Sequence, residues 1–187
     1  MSYIDDLISE HCPNGVKYIP LKEAGTWYGG GTPSKQKPEY WLDGTVPWLS
    51  PKDMGPSRIS TTQDYITEDA IRVSATKLVP SGSIAVVVRS SILDKRLPTA
   101  LISVPVTLNQ DMKAVVVGDE VIPEYFAHLI RASGNEILRT VRKTGGSVAS
   151  LNVPKLLDFR VPLPPIVVQR EIAGILDKME MLEAELE

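Results

Sequence analysis

From Gly25 to Gly118 the chain alternates short β-branched and aliphatic runs with clusters of Gly, Pro, Ser and Thr. No other feature limits the fold as much. The runs are Val46–Leu49, Ser83–Val88, Thr99–Val104 and Lys113–Val117. They have the length and composition of strands and are too short for core helices. No helical patterns of βαβ length separate them, which excludes a Rossmann-like parallel fold. The expectation is an irregular, mostly antiparallel β domain with long loops.

The flanks read differently. Ile4–Glu10 reads as a short helix, Pro13–Gly15 as a turn, and the next residues as a strand leading into Leu21. Pro123 suits the first position of a helix to Ala132, with Phe126, Leu129 and Ile130 on one face. Glu136–Arg142 is a second helical stretch, Asn152 precedes a helical turn over Pro154–Leu157, and Phe159–Pro164 reads as a strand. The fold class is therefore α+β: an irregular β domain with a small helical subdomain over residues 1–165, then a coiled-coil-type helix over 166–187.

In that helix Ile172, Ile175, Met179, Leu182 and Leu186 are spaced 3, 4, 3, 4, the seam of a coiled coil. A helix this short is marginal alone, so it packs either on its own domain or on another chain. Its charge differs from that of the body. Residues 171–187 hold Lys178 against six acids, ending at Glu187, whereas residues 131–170 hold seven bases against Glu136 and Asp158. A basic region on a globular body is compatible with nucleic acid without requiring it.

Several chemistries are unsupported. No run of 18 apolar residues exists for a membrane span, and the acidic start MSYIDDLISE is unlike a secretory signal, so a cytoplasmic location is expected. Cys12 stands alone and reads as a buried or half-buried bystander. His11 and His128 lack metal-ligand spacing and read as structural. There is no Ser-His-Asp or Cys-His arrangement, no Gly-x-Gly cofactor loop, and no Asn/Asp-Pro-Pro-Tyr/Phe loop despite Pro164-Pro165. No catalytic residue, metal ligand or cofactor is expected in this chain.

Candidate contacts sit in loops, each open to two readings. Gly31, Thr32, Ser34 and Lys35 follow two further glycines and suit either a plain turn or close backbone approach to a phosphate. Arg89, beside Ser90, has a fork suited to guanine, and Asn109-Gln110 amides suited to adenine; structural hydrogen bonding explains them equally well. Lys143, Thr144, Gly145, Gly146 and Ser147 form either a solvated loop or a mobile groove contact. Trp27, Trp41 and Trp48, with Tyr28 and Tyr40, read as core anchors rather than base-stacking platforms.

Taken in order, Gly29–Lys35, Tyr40-Trp41, Val46–Met54, Ser83–Ile92, Leu108–Ala114, Thr144–Ser147 and Val161–Pro165, with Gln169, Ile172 and Leu176-Asp177, resemble the specificity subunits of type I restriction–modification systems. The resemblance implies that residues 1–165 are a target recognition domain and 166–187 a spacer or dimerisation helix. It implies double-stranded DNA as ligand and methyltransferase subunits as partners, with a restriction subunit joining indirectly. S-adenosylmethionine, ATP and Mg would belong to those partners. Lys52 joins the loop residues above as an implied DNA contact. Family members usually carry two recognition domains and two helices, so this chain corresponds to a half-subunit, either pairing with a copy of itself through the helix or forming part of a longer chain.

Two other functions fit parts of the sequence. Asp111-Met112-Lys113 with Asp94 matches half of a metal-dependent nuclease site. The helix seam alone would suit an interaction protein that ignores DNA.

Overall fold

The computed structural model describes residues 3–186; Met1, Ser2 and Glu187, the last acid of the terminal segment, lie outside the described residues. Helix α1 (Tyr3–His11) and a turn at Gly15, whose φ of 87° favours glycine, lead into strand β1 (Tyr18–Pro20). A five-stranded sheet has the order β2 (Gly25–Gly29), β10 (Met112–Val117), β7 (Ile84–Val87), β8 (Thr99–Ile102) and β4 (Arg58–Ile59). A four-stranded sheet has the order β5 (Asp64–Ile66), β3 (Val46–Leu49), β9 (Val106–Leu108) and β6 (Leu78–Val79). Pairing is antiparallel except between β3 and β9 and between β4 and β8.

Every residue of β7 and β8 is buried, which explains why both read as continuous apolar runs instead of alternating ones. Helix α3 (Pro123–Ala132) packs on these two strands and buries Phe126 and Ile130. Next come α4 (Gly134–Val141) and α5 (Val153–Asp158), the latter capped by the Asn152 side chain, which accepts from the Lys155 N–H at 3.1 Å. β11 (Arg160–Pro162) then returns to pair with β1. Trp48 and Ile66 form a smaller cluster under α2 (Glu68–Val73), where Trp41 meets Trp48 edge-on at 5.1 Å.

The Pro164-Pro165 stop is followed by α6 (Ile166–Leu186). Only Val168, Gln169 and Ala173 of this helix are buried. The seam points away from the body: Ile172 is half-buried, Ile175 40% exposed, Met179 53%, Leu182 61% and Leu186 87%. Of the two packing modes open to the sequence, folding back on its own domain therefore applies to the root of the helix and not to its seam. Among the described residues no helix is long and apolar enough to cross a membrane.

Candidate nucleic-acid interface

Strand register brings distant loops to one end of the molecule. In the first sheet, Gly29 at the end of β2 is opposite Lys113, Val87 at the end of β7 is opposite Met112, and Val86 is opposite Thr99 at the start of β8. In the second sheet, Leu49 and Leu108, the last residues of parallel β3 and β9, are partners. The two sheets meet at this end, because the chain passes from β9 to β10 through Asn109, Gln110 and Asp111 alone. The loops after β2, β3, β7 and β9 consequently share one rim. The segment after α4 joins them: Leu151 donates to the Val88 carbonyl at 2.8 Å, and Ser90 donates to the Ala149 carbonyl at 3.0 Å. Lys143 donates to the Ser150 carbonyl at 2.9 Å, closing the glycine loop at its base.

Within the rim the candidate residues fall into two groups. Asn109 is only 6% exposed, and its side-chain oxygen accepts from the Asp111 N–H at 2.8 Å. Its side-chain oxygen organises the hairpin, which is the structural one of the two roles open to it in the sequence. Gly31 is likewise committed to the fold. Its N–H donates to Leu108, and its carbonyl accepts from Trp48 Nε1 at 3.0 Å and the Thr76 hydroxyl at 2.8 Å. The close approach that this glycine cluster permits is to the protein itself, since a Cβ on Gly30 would lie 1.8 Å from the Asn109 carbonyl oxygen. Ser90 is half-buried and caps the turn Ser91–Asp94 by accepting from the Ile92 N–H. In the turn Pro51–Asp53, Lys52 is exposed and reaches Asp64 at 2.7 Å.

The second group faces solvent. Thr32 is exposed and donates to the side-chain oxygen of Gln110, which is itself exposed. The Arg89 side chain is 59% exposed and stands 3.9 Å from Asp111, too loose a pair to hold it. Ser34, Lys35, Lys143, Thr144, Gly145, Gly146 and Ser147 are all exposed. Among the described residues neither Lys35 nor Lys143 makes an ion pair. Gly145 and Gly146 adopt φ of 81° and 96°, which only glycine takes readily, so the loop needs both. Beside Lys35, Lys37 donates to the Tyr40 hydroxyl at 3.1 Å, and that bond holds its ammonium above the usual lysine value. Of the two carboxylates of the nuclease reading, Asp94 pairs with Arg142, while Asp111 has only Arg89 nearby at 3.9 Å.

A second cluster of functional groups lies where α6 meets the body. Gln169 is fully buried, accepts from the Ile122 N–H at 2.8 Å, and donates to the carbonyls of Glu120 at 2.9 Å and Pro164 at 2.8 Å. Farther along, ligand atoms of His128, Asp177 and Glu180 lie within 4.8 Å of one another, the spacing a metal ion would use. Arginines already answer these acids: Arg58 reaches Asp177 at 3.2 Å, Arg131 pairs with Glu180, and Arg131 stands 3.3 Å from His128 Nδ1. A cation entering there would meet a guanidinium, so the cluster is an ion-pair network. The sequence reads His128 as structural but gives no sign of its acidic partner Asp177, 49 residues away.

The model of the type I restriction modification DNA specificity domain matches residues 13–187. The chain is 52% identical over 181 residues to the EcoR124I/EcoR124II specificity subunit of Escherichia coli, covering 97% of this chain and 45% of that protein. It is 30% identical over 170 residues to the MjaIX specificity subunit of Methanocaldococcus jannaschii, covering 87% and 37%. Among solved structures, the HsdS subunit from Thermoanaerobacter tengcongensis superposes with a TM-score of 0.70 at 17% identity, over 98% of this chain and 43% of that one. A chain from a study of type I R-M complex assembly and conformational transition gives 0.73 at 17% identity, over 98% and 44%. At such identity the likeness concerns the fold alone. The chain spans less than half the length of the curated relatives it matches.

Proposed function

The chain belongs to the type I restriction modification DNA specificity family, and on that premise we propose that it is the address-reading half of a specificity subunit, recognising one half-site of a split DNA target and performing no chemistry itself. The observation that carries this reading is the rim. Loops from four separate parts of the sequence converge there, presenting Thr32, Lys35, Arg89, Gln110 and Lys143 to solvent beside a rigid double sheet. Exposed unpaired ammonium groups neutralise phosphates, whereas a guanidinium fork and an exposed amide discriminate base edges.

In this reading the partners are double-stranded DNA and methyltransferase subunits, with a restriction subunit joining indirectly, in the cytoplasm. S-adenosylmethionine, ATP and Mg serve those subunits. The seam, half-buried at Ile172 and exposed at Ile175, Met179, Leu182 and Leu186, is an apolar stripe with coiled-coil spacing, and it pairs with a second such helix, from another copy or from the rest of a longer chain.

The test is selection from random-sequence duplex DNA by the chain mixed with a type I methyltransferase subunit, followed by sequencing of the bound fraction. Enrichment of a short motif that requires the methyltransferase is expected. Binding of neither DNA nor methyltransferase would overturn the reading in favour of an interaction role through α6.

A further inference from the structure

We infer that Arg58, His128 and Arg131, gripping Asp177 and Glu180, form a positioning network that fixes the angle at which α6 leaves the recognition domain; resting on the function proposed above, it thereby limits the spacing tolerated between two half-sites. The last fully buried residue of α6 is Ala173, and beyond it Leu176 is half-buried, lining a cleft beside Ala132 of α3. Beyond Ala173 the polar ties to the body are charged or imidazole contacts, and they come from two directions. Arg58 reaches Asp177 from β4, at the edge of the five-stranded sheet, at 3.2 Å. His128 and Arg131 reach across from α3: His128 Nε2 lies 2.8 Å from Asp177, and Arg131 pairs with Glu180. Asp177 and Glu180 are three residues apart and so share one helix face.

The arrangement closes as a set of directional bonds. With the proton on Nε2, His128 donates to Asp177 while its Nδ1 accepts from Arg131 at 3.3 Å, and the two carboxylates are balanced by two guanidiniums. Asp177 and Glu180 side chains are 33% and 35% exposed, so solvent screening limits what the pairs add to stability. Such networks are better suited to selecting one geometry than to deepening the fold.

The lever arm shows why geometry matters here. At ~1.5 Å per residue, Asp177 and Glu180 lie roughly 12 and 16 Å beyond Gln169, and Leu186 about 26 Å beyond it. A tilt of about 10° at Gln169 would carry the helix end about 4.5 Å, more than the ~3.4 Å rise of one base pair. The buried root alone does not prevent such a tilt. Ties at two points along the arm, from different sides, do.

Two measurements test this on the full chain. In the first, nitroxides are placed at Glu136→Cys and Glu185→Cys in a Cys12→Ser background, and the interspin distance distribution is recorded without DNA or partner. Arg131→Glu and His128→Ala should each broaden the distribution at least twofold, and adding Glu180→Arg to Arg131→Glu should narrow it again; unchanged widths in variants that melt as the parent does would overturn the proposal. In the second, the DNA selection is repeated with each variant bound to the methyltransferase. The parent should return one spacing between half-sites, the single variants at least two spacings with the same half-site bases, and the charge-swapped pair one again. A single spacing in every variant would overturn the link from helix angle to spacing. Failure of the parent to select DNA would instead count against the proposed function, and the distance measurement would still decide the network.

Discussion

The rim and the junction with α6 use the same kinds of side chain to opposite ends. At the junction Gln169 satisfies three backbone groups, and five charged or imidazole side chains bond only one another. Among the described residues no buried side-chain polar atom lacks a partner. At the rim, among the described residues, Lys35 and Lys143 have no ion pair, Arg89 has a loose one, and Gln110 is exposed with its side-chain oxygen bonded to Thr32. A group bonded internally contributes to the fold and is unavailable to a ligand; an exposed unpaired group contributes little to the fold and loses little by switching to one. The contrast teaches that substitutions should separate cleanly, with stability and geometry changing at the junction and DNA affinity at the rim.

The largest expected effect lies at Gln169. Gln169→Leu keeps the volume but leaves the Ile122 N–H and the carbonyls of Glu120 and Pro164 without their partner; the Pro164 bond is buried, the other two part-buried. A fully buried group left so costs about 1–3 kcal/mol and a part-buried one falls toward the low end, so a loss of roughly 3–5 kcal/mol is expected in urea unfolding. A loss under about 1 kcal/mol would break the comparison from the junction side.

Next come the two exposed base-reading candidates. Arg89→Ala and Gln110→Ala should each relax discrimination at one base pair by about 1–3 kcal/mol while leaving stability within about 0.5 kcal/mol. Competition binding against single-base variants of the selected motif measures both. Uniform weakening across all bases would reassign the side chain to a phosphate contact. Asn109→Ala sharpens the contrast, because it removes the bond that organises the 109–111 hairpin and should lower stability by about 1 kcal/mol, an effect that Arg89→Ala and Gln110→Ala should not show.

Legibility of the fold followed the amount of pattern each element carries. Val46–Leu49 and Pro123–Ala132 were readable to the residue, because four or more residues of consistent chemistry lie between turn signals. Strands β4 and β6, two residues each, carry no period at all, and β5 and β9 barely one. β2 is not among the runs that stand out in the sequence, because it begins and ends in glycine; Gly25 is required there, since a Cβ would lie 2.0 Å from the Val116 carbonyl oxygen of its partner strand. Helix α2 did carry a usable signal: Thr67 caps it by accepting from the Ala70 N–H at 3.3 Å. In the candidate site, loop positions were legible but roles were not. Asn109 and Gln110 are adjacent amides, and only the turn between β9 and β10 decides that one is buried and the other exposed. Asp177 and Glu180 looked like surface acids off the seam, because their cationic partners come from β4 and α3.

The smallest effects compare two lysines at the rim. Lys143→Ala removes an ammonium with no partner, so if it meets a phosphate the slope of log affinity against log salt should become shallower by about 0.9, with binding weakened alike for all sequences. Lys52→Ala removes an ammonium held by Asp64 at 2.7 Å. To meet DNA, Lys52 must give up that carboxylate, and removing it leaves Asp64 uncompensated near the phosphates. The slope change should therefore be less than half that of Lys143→Ala, with affinity falling further than the slope alone accounts for. The double variant Lys52→Ala with Asp64→Asn isolates the repulsion: recovery of affinity with the slope still shallow would confirm that Lys52 acts chiefly by covering Asp64. Equal slope changes for the two lysines would instead mean that the ion pair opens freely, and that partnership in the free protein is a poor guide to which rim cations meet DNA.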